Sequence, residues 1–296
     1  MPLTYTPRKR FSPQEYAQAI LAGDRIMLSR AITLIESKLP SDVALAEKVL
    51  EIILPHTGNS LRVGITGVPG VGKSTFIESF GKLITGMGKK LAVLTIDPSS
   101  QRSKGSILGD KTRMESLAND PMAYIRPSAS GATLGGVNNK TRETMLLCEA
   151  AGYEVILIET VGVGQSETTV AEIADFFLLL MLAGAGDELQ GIKKGIMEMA
   201  DALVITKADG DNVTMSQMAA REYANAMRLF PAQDSGWEPE VLTCSSVEQR
   251  GLDAVWDVIV RHHELMCQTG YFQAKRMEQN IAWMNEIIDY YLKYDF

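Results

Sequence analysis

Cysteine is scarce in this chain of 296 residues, which carries only Cys148, Cys244 and Cys267. The three lie far apart, and no two of them form a C-x-x-C pair. An odd and scattered set does not build the disulfide framework of a small secreted protein, so we expect a reducing, cytoplasmic location. We interpret Cys148 and Cys244 as small core residues rather than as nucleophiles.

Histidine is equally scarce, with three residues in the whole chain. His56, His262 and His263 lie outside the strands and loops that the sequence predicts, and we expect them on the surface or in helices. The sequence therefore offers no histidine as a general base.

Long apolar runs and a basic excess are also missing. The longest apolar run, Phe176 to Gly186, is shorter than the roughly 20 residues that a membrane-spanning helix needs, and no apolar signal segment stands at the N-terminus. Acidic side chains outnumber basic ones by 36 to 29, which gives a formal net charge of −7. We therefore expect neither a membrane nor a nucleic acid as a partner.

The chain does contain short apolar runs, rich in β-branched residues and separated by stretches of helical periodicity. These runs are Leu61–Thr66, Leu91–Ile96, Met122–Ile125, Val155–Ile158, Phe176–Leu182, Ala202–Thr206 and Glu240–Cys244. Continuous apolar strands that alternate with helices are typical of a parallel sheet covered by helices on both faces. The sequence therefore predicts an α/β fold.

Three segments are expected along the chain. Residues 1–58 form an N-terminal helical segment, whose first helix starts at the capping box Ser12–Glu15. Residues 59–268 form the α/β domain. Residues 269–296 form a C-terminal helix with an apolar face.

One motif is highly specific. Residues 67–74 read Gly-Val-Pro-Gly-Val-Gly-Lys-Ser and fit the P-loop pattern G-x-x-x-x-G-K-[ST], after a strand and at the start of a helix. We predict that Lys73 reaches the β- and γ-phosphates of a nucleotide and that the Ser74 hydroxyl binds Mg²⁺. The predicted nucleotide-binding residues of this segment are Gly67, Val68, Pro69, Gly70, Val71, Gly72, Lys73, Ser74 and Thr75.

Acidic residues follow two of the predicted strands. Asp97 comes after Leu91–Ile96, and Glu159 comes after Val155–Ile158. Ligands of open parallel sheets bind beyond the carboxyl ends of the strands, so we expect both carboxylates near the phosphates and their Mg²⁺. A helix cap is the alternative for Asp97. Gly162 would let a backbone N–H approach a γ-phosphate, as in a nucleotide-sensing switch.

A third pattern concerns the base of the nucleotide. Thr206-Lys207-Ala208-Asp209 ends a strand, where a carboxylate can accept hydrogen bonds from N1 and N2 of guanine and a lysine stem can lie along the purine. Residues 243–247 follow the last strand, where backbone N–H groups can meet guanine O6. The predicted base-binding residues are Lys207, Asp209, Ser245, Ser246 and Val247. Ordinary loop caps are the alternative for both loops.

One position departs from the usual guanine pattern. Guanine-binding proteins usually carry N-K-x-D here, and Thr206 replaces the asparagine. Threonine is shorter and cannot hold the neighbouring loops with an amide. The sequence therefore leaves the selectivity for GTP open.

These motifs together resemble the MeaB-type GTPases, the family of methylmalonic aciduria type A and ArgK-like proteins. The resemblance covers roughly residues 12 to 270 and includes three further loops, at 97–114, 159–167 and 186–195. It implies a P-loop NTPase fold that binds GTP or GDP with Mg²⁺ and hydrolyses GTP slowly until a partner stimulates it. It further implies a metallochaperone that gates loading, protection or reactivation of an adenosylcobalamin-dependent acyl-CoA mutase, with methylmalonyl-CoA mutase as the first candidate.

The resemblance also implies roles for single residues. The residues that would bind or orient Mg²⁺ are Ser74, Asp97, Asp110 and Glu159. The implied catalytic residues are Lys73, Asp97, Glu159 and Lys193. Lys193 would stabilise phosphoryl charge when the partner is bound, and a solvated helix face is the alternative for it. The C-terminal helix is implied to pair with its twin in a homodimer.

Two other functions fit part of the pattern. A nickel-insertion GTPase would share the nucleotide domain, but it needs soft or imidazole ligands, which scattered histidines and unpaired cysteines supply poorly. A P-loop kinase needs a base near the γ-phosphate, a role open to Asp97 or Asp110, and the guanine pattern argues against it.

Overall fold

The computed structural model describes residues 10–96, 114–127, 134–160, 166–184, 194–231 and 233–294. They belong to two compact units. The smaller unit comprises Met1–Asn59 and Arg142–Tyr153, and the larger one comprises Ser60–Thr141 and Glu154–Phe296. The segment boundaries after residues 58 and 268 stay predictions.

The helices of the chain are numbered in chain order. They are α1 (Pro13–Leu21), α2 (Arg25–Glu36), α3 (Pro40–Ile53), α4 (Lys73–Gly86), α5 (Glu115–Ala118), α6 (Leu134–Ala150), α7 (Ser166–Ile173), α8 (Lys194–Glu198), α9 (Val213–Met227), α10 (Leu252–Gln268) and α11 (Tyr271–Tyr294). Short 3₁₀ turns cover Leu54–His56 and Gly210–Asn212. None of the helices in the described ranges is both long and apolar enough to cross a membrane.

The smaller unit contains α1, α2 and α3. The predicted capping box opens α1: the N–H of Glu15 donates to the Ser12 hydroxyl at 3.2 Å, and the N–H of Ser12 donates to the Glu15 carboxylate at 2.6 Å. Asp24 caps α2 with its own side chain, accepting the N–H of Ile26 at 2.8 Å. Local capping chemistry therefore sets where α1 and α2 begin.

The larger unit is built on a seven-stranded sheet. The strands are β1 (Leu61–Gly67), β2 (Leu91–Ile96), β3 (Ala123–Pro127), β4 (Val155–Thr160), β5 (Phe176–Leu182), β6 (Ala202–Thr206) and β7 (Glu240–Thr243). Each strand overlaps a predicted apolar run, with ends that differ by one or two residues in β1, β3, β4 and β7. Strand β4 extends through Thr160, so that Glu159 lies within the strand rather than after it. The predicted α/β fold with a parallel central sheet is confirmed, since every described strand pair is parallel.

The strand order is β3-β2-β4-β1-β5-β6-β7. The first strand of the sheet thus lies near its middle, where Ile65 pairs with Glu159 of β4 and with Leu178 of β5. The loop that follows β1 therefore starts at the centre of the carboxyl edge of the sheet, between β4 and β5.

Helices α4 and α10 cover one side of the core. Phe76 and Phe80 of α4 are fully buried and stack with ring centroids 5.1 Å apart, and Trp256 of α10 packs against Phe80. This apolar packing fixes α4, and with it the loop at its N-terminus, on the sheet.

His262 was expected on the surface or in a helix. It lies in a helix, but it is buried rather than exposed. His262 lies in α10 but is only 2 % exposed, and its ring packs edge-on against Phe176 and Trp237. It follows Ile259 by three residues and precedes Met266 by four, which places it on the buried face of the helix. Burial lowers the pKa of His262 to about 3.

Candidate functional site

The P-loop joins β1 to α4 at the centre of the carboxyl edge. Gly70 and Gly72 have φ angles of +80° and +91°, which only glycine adopts without strain. A Cβ atom at Gly67 would lie 2.5 Å from the carbonyl oxygen of Leu180, so the loop passes directly against the backbone of β5. Val71 is fully buried beneath the loop and anchors it. This local sequence can fold only as a tight, glycine-dependent turn.

Lys73 lies within this turn. The residue as a whole is 9 % exposed. Its ammonium group donates to the carbonyl oxygens of Gly67 at 2.7 Å and Val68 at 3.3 Å. Burial lowers the pKa of Lys73, and the negative charges of Glu159 and Glu167 oppose that shift. A partly desolvated cation that holds only neutral carbonyl groups is well suited to bind an anion in their place.

Ser74 and Glu159 meet at the same edge. The Ser74 hydroxyl donates to Oε1 of Glu159 at 3.3 Å, and Glu159 is buried. The hydroxyl groups of Thr66 and Thr160 lie 2.8 Å apart and link the carboxyl ends of β1 and β4. The sequence analysis did not identify the threonine pair, although its position at two adjacent strand ends is readable from the apolar runs.

Four of the predicted site residues, Asp97, Asp110, Gly162 and Lys193, lie outside the described residues. Within the described ranges, no group of three or more His, Cys, Asp or Glu side chains is arranged to hold a metal ion. Ser74 and Glu159 are the two predicted Mg²⁺ ligands that the structure brings together. Their hydroxyl and carboxylate oxygens are hard donors that fit Mg²⁺.

Thr206 holds the P-loop through its hydroxyl group. The buried hydroxyl donates to the carbonyl oxygen of Val71 at 2.7 Å and also lies 3.2 Å from that of Met181. Threonine has no amide for the neighbouring loops, as expected from the sequence, but the P-loop passes close enough for its short side chain to reach it. Next to it, Lys207 crosses the P-loop and donates to the carbonyl oxygen of Gly70 at 2.8 Å.

The two predicted base loops contact each other directly. The Ser245 hydroxyl donates to Oδ2 of Asp209 at 2.6 Å, and Ser245 is fully buried. The N–H of Ala208 donates to the carbonyl oxygen of Cys244 at 3.0 Å. Burial, followed by the charge of Asp209, raises the pKa of Cys244 to about 12, which agrees with an inert core thiol.

The remaining predicted residues lie around these contacts. Ser246 accepts a hydrogen bond at its carbonyl oxygen from the Ser79 hydroxyl of α4 at 3.0 Å. The Val247 side chain is 82 % exposed, and Thr75 lies on the exposed side of the first turn of α4. Pro69 is exposed at the tip of the P-loop. The base loop is thus tied to the same helix that begins at the P-loop.

Sequence reasoning missed two residues of this region, Ser79 and Arg250. Arg250 donates through its guanidinium group to the carbonyl oxygen of Ala208, and its backbone exchanges two hydrogen bonds with Ser245, at 2.9 and 3.0 Å. The one available signal was Gly251, which starts α10 with a φ of +76°. A glycine there ends the loop and turns Arg250 back toward Ser245.

The described geometry offers a phosphate cradle, two hard oxygen donors beside it and a base cleft with one oriented carboxylate. A model of the family described as methylmalonyl Co-A mutase-associated GTPase MeaB matches residues 28–294. The chain belongs to this family. It is therefore a member of a GTPase family, with a site built for a guanine nucleotide.

Named relatives cover nearly all of this MeaB-family GTPase. A probable GTPase of Mycobacterium tuberculosis (strain H37Rv) is 53 % identical over 272 residues, which span 92 % of this chain and 81 % of the relative. The mitochondrial methylmalonic aciduria type A homolog of Mus musculus is 46 % identical over 290 residues, which span 95 % of this chain and 70 % of the relative.

A solved structure confirms the fold class. The crystal structure of a LAO/AO transport system kinase is similar with a TM-score of 0.81 and 41 % sequence identity, over 95 % of this chain and 84 % of that one. The MeaB-family GTPase therefore has the P-loop NTPase fold that its sequence predicts.

Proposed function

We propose that this protein is a GTP-hydrolysing chaperone of an adenosylcobalamin-dependent acyl-CoA mutase, with methylmalonyl-CoA mutase as the partner. The observation that carries the proposal is the similarity, over nearly the whole chain, to a protein named for methylmalonic aciduria and to a family named for its association with that mutase. Hydrolysis would drive a conformational cycle that gates loading, protection or reactivation of the mutase.

The phosphate end of the site supports GTP binding with Mg²⁺. Lys73 would exchange its bonds to the P-loop carbonyl groups for bonds to the β- and γ-phosphates. Ser74 and Glu159, already in contact, would hold Mg²⁺ with Asp97 and Asp110. The bound ion would supply positive charge that stabilises the negative charge developing on the phosphate oxygens.

The base end supports a preference for guanine. One carboxylate oxygen of Asp209 accepts a hydrogen bond from the Ser245 hydroxyl, which orients the carboxylate, and this carboxylate would accept hydrogen bonds from N1 and N2 of guanine. The Lys207 stem lies beside the P-loop, where a purine plane would rest on it. The contact from Thr206 to Val71 supports this preference only indirectly, by tying the end of β6 to the P-loop.

Slow hydrolysis without the mutase is part of the proposal. Phosphoryl transfer depends on positioning and on stabilising negative charge, and a second cation beside Lys73 raises its rate. We assign this role to Lys193, delivered when the mutase binds. Hydrolysis would then be coupled to docking rather than to nucleotide supply.

The C-terminal helix supports a homodimer. Along α11, apolar side chains recur every three or four residues and are about half exposed: Met277, Ile281, Met284, Ile288 and Leu292. Such a stripe is typical of a helix that packs against another helix. Replacing Ile281 and Met284 by aspartate should convert the dimer to a monomer in light scattering, whereas Leu229→Asp, at an exposed apolar residue outside the stripe, should leave the dimer intact.

The cysteines support a cytoplasmic location. Cys148 and Cys244 are buried and Cys267 is exposed, and none of the three forms a disulfide. Exposed thiols persist in a reducing compartment.

The decisive experiment measures GTP turnover with and without candidate mutases. We expect slow release of phosphate from the protein alone, faster release with methylmalonyl-CoA mutase, and a pull-down of the mutase that differs between GTP and GDP. The Lys73→Ala variant is the control for contaminating phosphatases. If no mutase binds or changes the rate, the chaperone role is wrong.

A P-loop kinase is the first alternative function. Product analysis separates the two functions. A GTPase releases the γ-phosphate as inorganic phosphate, whereas a kinase transfers it to an acceptor. A titration with nickel tests the remaining alternative, a nickel-insertion GTPase, which would bind the metal stoichiometrically.

A further inference from the structure

Backbone strain is concentrated in the loop that follows β6 and in the loop that joins β7 to α10, the two base loops that contain the predicted base-binding residues. Among the residues that the structure describes, the non-glycine residues with positive φ are Lys207, at +55°, and Gln249, at +51°. One lies in each loop. Residues in this region of conformational space cost free energy and persist only when surrounding contacts hold them.

One side chain contacts both strained segments. Arg250 directly follows Gln249, and its guanidinium group donates to the carbonyl oxygen of Ala208, the residue after Lys207. The same guanidinium pairs with the Glu248 carboxylate at 2.8 Å. Because the planar fork of an arginine presents several donors in fixed directions, it can hold both acceptors at once.

The carbonyl group that Arg250 holds is directly connected to the base-reading residue. The carbonyl of Ala208 belongs to the peptide unit between Ala208 and Asp209, so fixing its direction fixes the plane from which Asp209 extends. The N–H on the other side of Ala208 donates to Cys244. The residue before Asp209 is therefore held by the second loop at both its N–H and its carbonyl group.

The backbone of Arg250 completes this arrangement. It pairs with Ser245 through an isolated antiparallel bridge, and the Ser245 hydroxyl donates to Asp209 at 2.6 Å. Arg250 is thus linked to Asp209 indirectly in two ways, through the Ala208 peptide and through Ser245.

We propose that Arg250 is a positioning residue that sets guanine selectivity by joining the two base loops. In this chain Arg250 joins the two base loops, while Thr206 ties the end of β6 to the P-loop. The proposal rests on the proposed function, because it requires Asp209 to read the guanine base.

The Arg250→Met variant tests the proposal in the full-length protein, with GDP, inosine diphosphate and ADP as probes. Inosine lacks the N2 amino group, so the ratio of GDP to inosine diphosphate affinity reports the alignment of Asp209. We expect GDP to bind about tenfold more weakly, since hydrogen bonds to charged groups are worth somewhat more than neutral ones. We expect the GDP preference to shrink and ADP affinity, which depends on the P-loop, to stay unchanged.

Arg261→Met is the matched control. Arg261 is exposed to the same degree as Arg250, with 55 % of the side chain accessible, and it makes a similar ion pair at 2.8 Å, with Glu240. Its described hydrogen bond and ion pair do not reach the base loops. Arg250→Lys is the conservative variant: an ammonium can reach Ala208 or Glu248 but not both in a fork, so its GDP preference should fall between wild type and Arg250→Met.

The outcomes distinguish an error in the role of Arg250 from an error in the proposed guanine site. If wild type prefers GDP and Arg250→Met keeps both affinity and preference, the role of Arg250 is wrong and the guanine site stands. If wild type shows no preference for GDP over inosine diphosphate, the guanine site itself is wrong. Should Arg250→Met fail to fold in circular dichroism, the selectivity of Arg250→Lys decides in its place.

Discussion

The two edges of the central sheet are held by different chemistry. At the amino edge, Asp175 and Asp201 directly precede β5 and β6, and each accepts the N–H of a residue in the neighbouring strand at 2.8 Å, from Arg62 and Phe177. Both aspartates are buried. At the carboxyl edge, hydroxyl and ammonium groups donate to backbone carbonyl oxygens of a glycine-rich loop.

The difference lies in what a ligand can replace. A buried carboxylate bound to a strand amide belongs to the sheet ladder, and breaking it costs stability. A lysine or hydroxyl bound to a carbonyl group can exchange that acceptor for a phosphate oxygen. The amino edge therefore carries stability and the carboxyl edge carries the site, and the variants that follow test this division.

The largest effect on folding is expected at Arg276. Its guanidinium group binds both carboxylate oxygens of Asp175, at 2.5 and 2.6 Å, and donates to the carbonyl oxygen of Ser60 at 2.8 Å. Arg276→Met would leave a buried carboxylate without its cation and should lower the free energy of unfolding by about 3–5 kcal/mol. Urea denaturation measures this. Arg261→Met, at an exposed pair, should change little, and equal effects of the two variants would contradict the division.

The largest effect on activity is expected at Lys73. Lys73→Ala should lower kcat for GTP by about 10²–10³-fold, the usual loss for one donor to developing charge. Its free energy of unfolding should change by less than ~1 kcal/mol, because the desolvation of the buried ammonium offsets its two hydrogen bonds. Steady-state phosphate release and urea denaturation check both parts. Lys89→Ala, at an exposed pair with Glu154, is the control.

The pH dependence of stability should come from the amino edge. His262 lies 3.8 Å from Asp201 with its pKa lowered to about 3 by burial, so it is neutral and forms no ion pair there at neutral pH. Below pH 6.5 the unfolded chain binds a proton that the folded chain does not, so stability falls as the pH falls toward 3, by at most ~1.4 kcal/mol per pH unit.

The buried Asp201 acts in the opposite sense. Burial raises its pKa, so its contribution to stability is present at low pH and is lost as the pH rises above its unfolded value. His262→Gln should remove the fall in the free energy of unfolding that His262 causes between about pH 6 and pH 4, as measured by urea denaturation. His263→Gln, at the next residue, is the control, and an unchanged slope in His262→Gln would assign the pH dependence elsewhere.

The smallest effect is expected at Thr206. Thr206→Val keeps the shape of the side chain and removes the hydroxyl that holds Val71, which should cost about 1 kcal/mol of stability and weaken GDP binding. Thr206→Ser should restore both. Denaturation and nucleotide titration test this, and a Thr206→Val protein with normal GDP affinity would show that the contact is not needed.

The strands and the first helices were predictable because their signals are local. Runs of apolar residues mark β1, β2, β5 and β6, and the capping box marks α1. The P-loop was predictable because its glycines and lysine are adjacent in the sequence. The carboxyl end of β4 was placed too early, because Glu159 and Thr160 are polar residues that continue a buried strand.

The contacts that complete the site could not be predicted, because they join distant segments. Arg250 and Ala208 are 42 residues apart, Ser79 and Ser246 are 167 apart, and Thr206 and Val71 are 135 apart. No propensity encodes such pairs. Burial of His262 was readable from its spacing to Ile259 and Met266, but a lone histidine is usually interpreted by its polarity.

The hydrogen bond between Ser79 and Ser246 means that α4 fixes the spacing between the P-loop and the base loop. Lys73 begins the helix at the P-loop, and Ser79 holds the base loop six residues later, a separation of about 9 Å along the helix axis. The distance between the phosphate cradle and the base cleft is thus set by a rigid rod. A molecule that contacts both ends must match this length as well as the chemistry at each end, so the helix limits which molecules can do so.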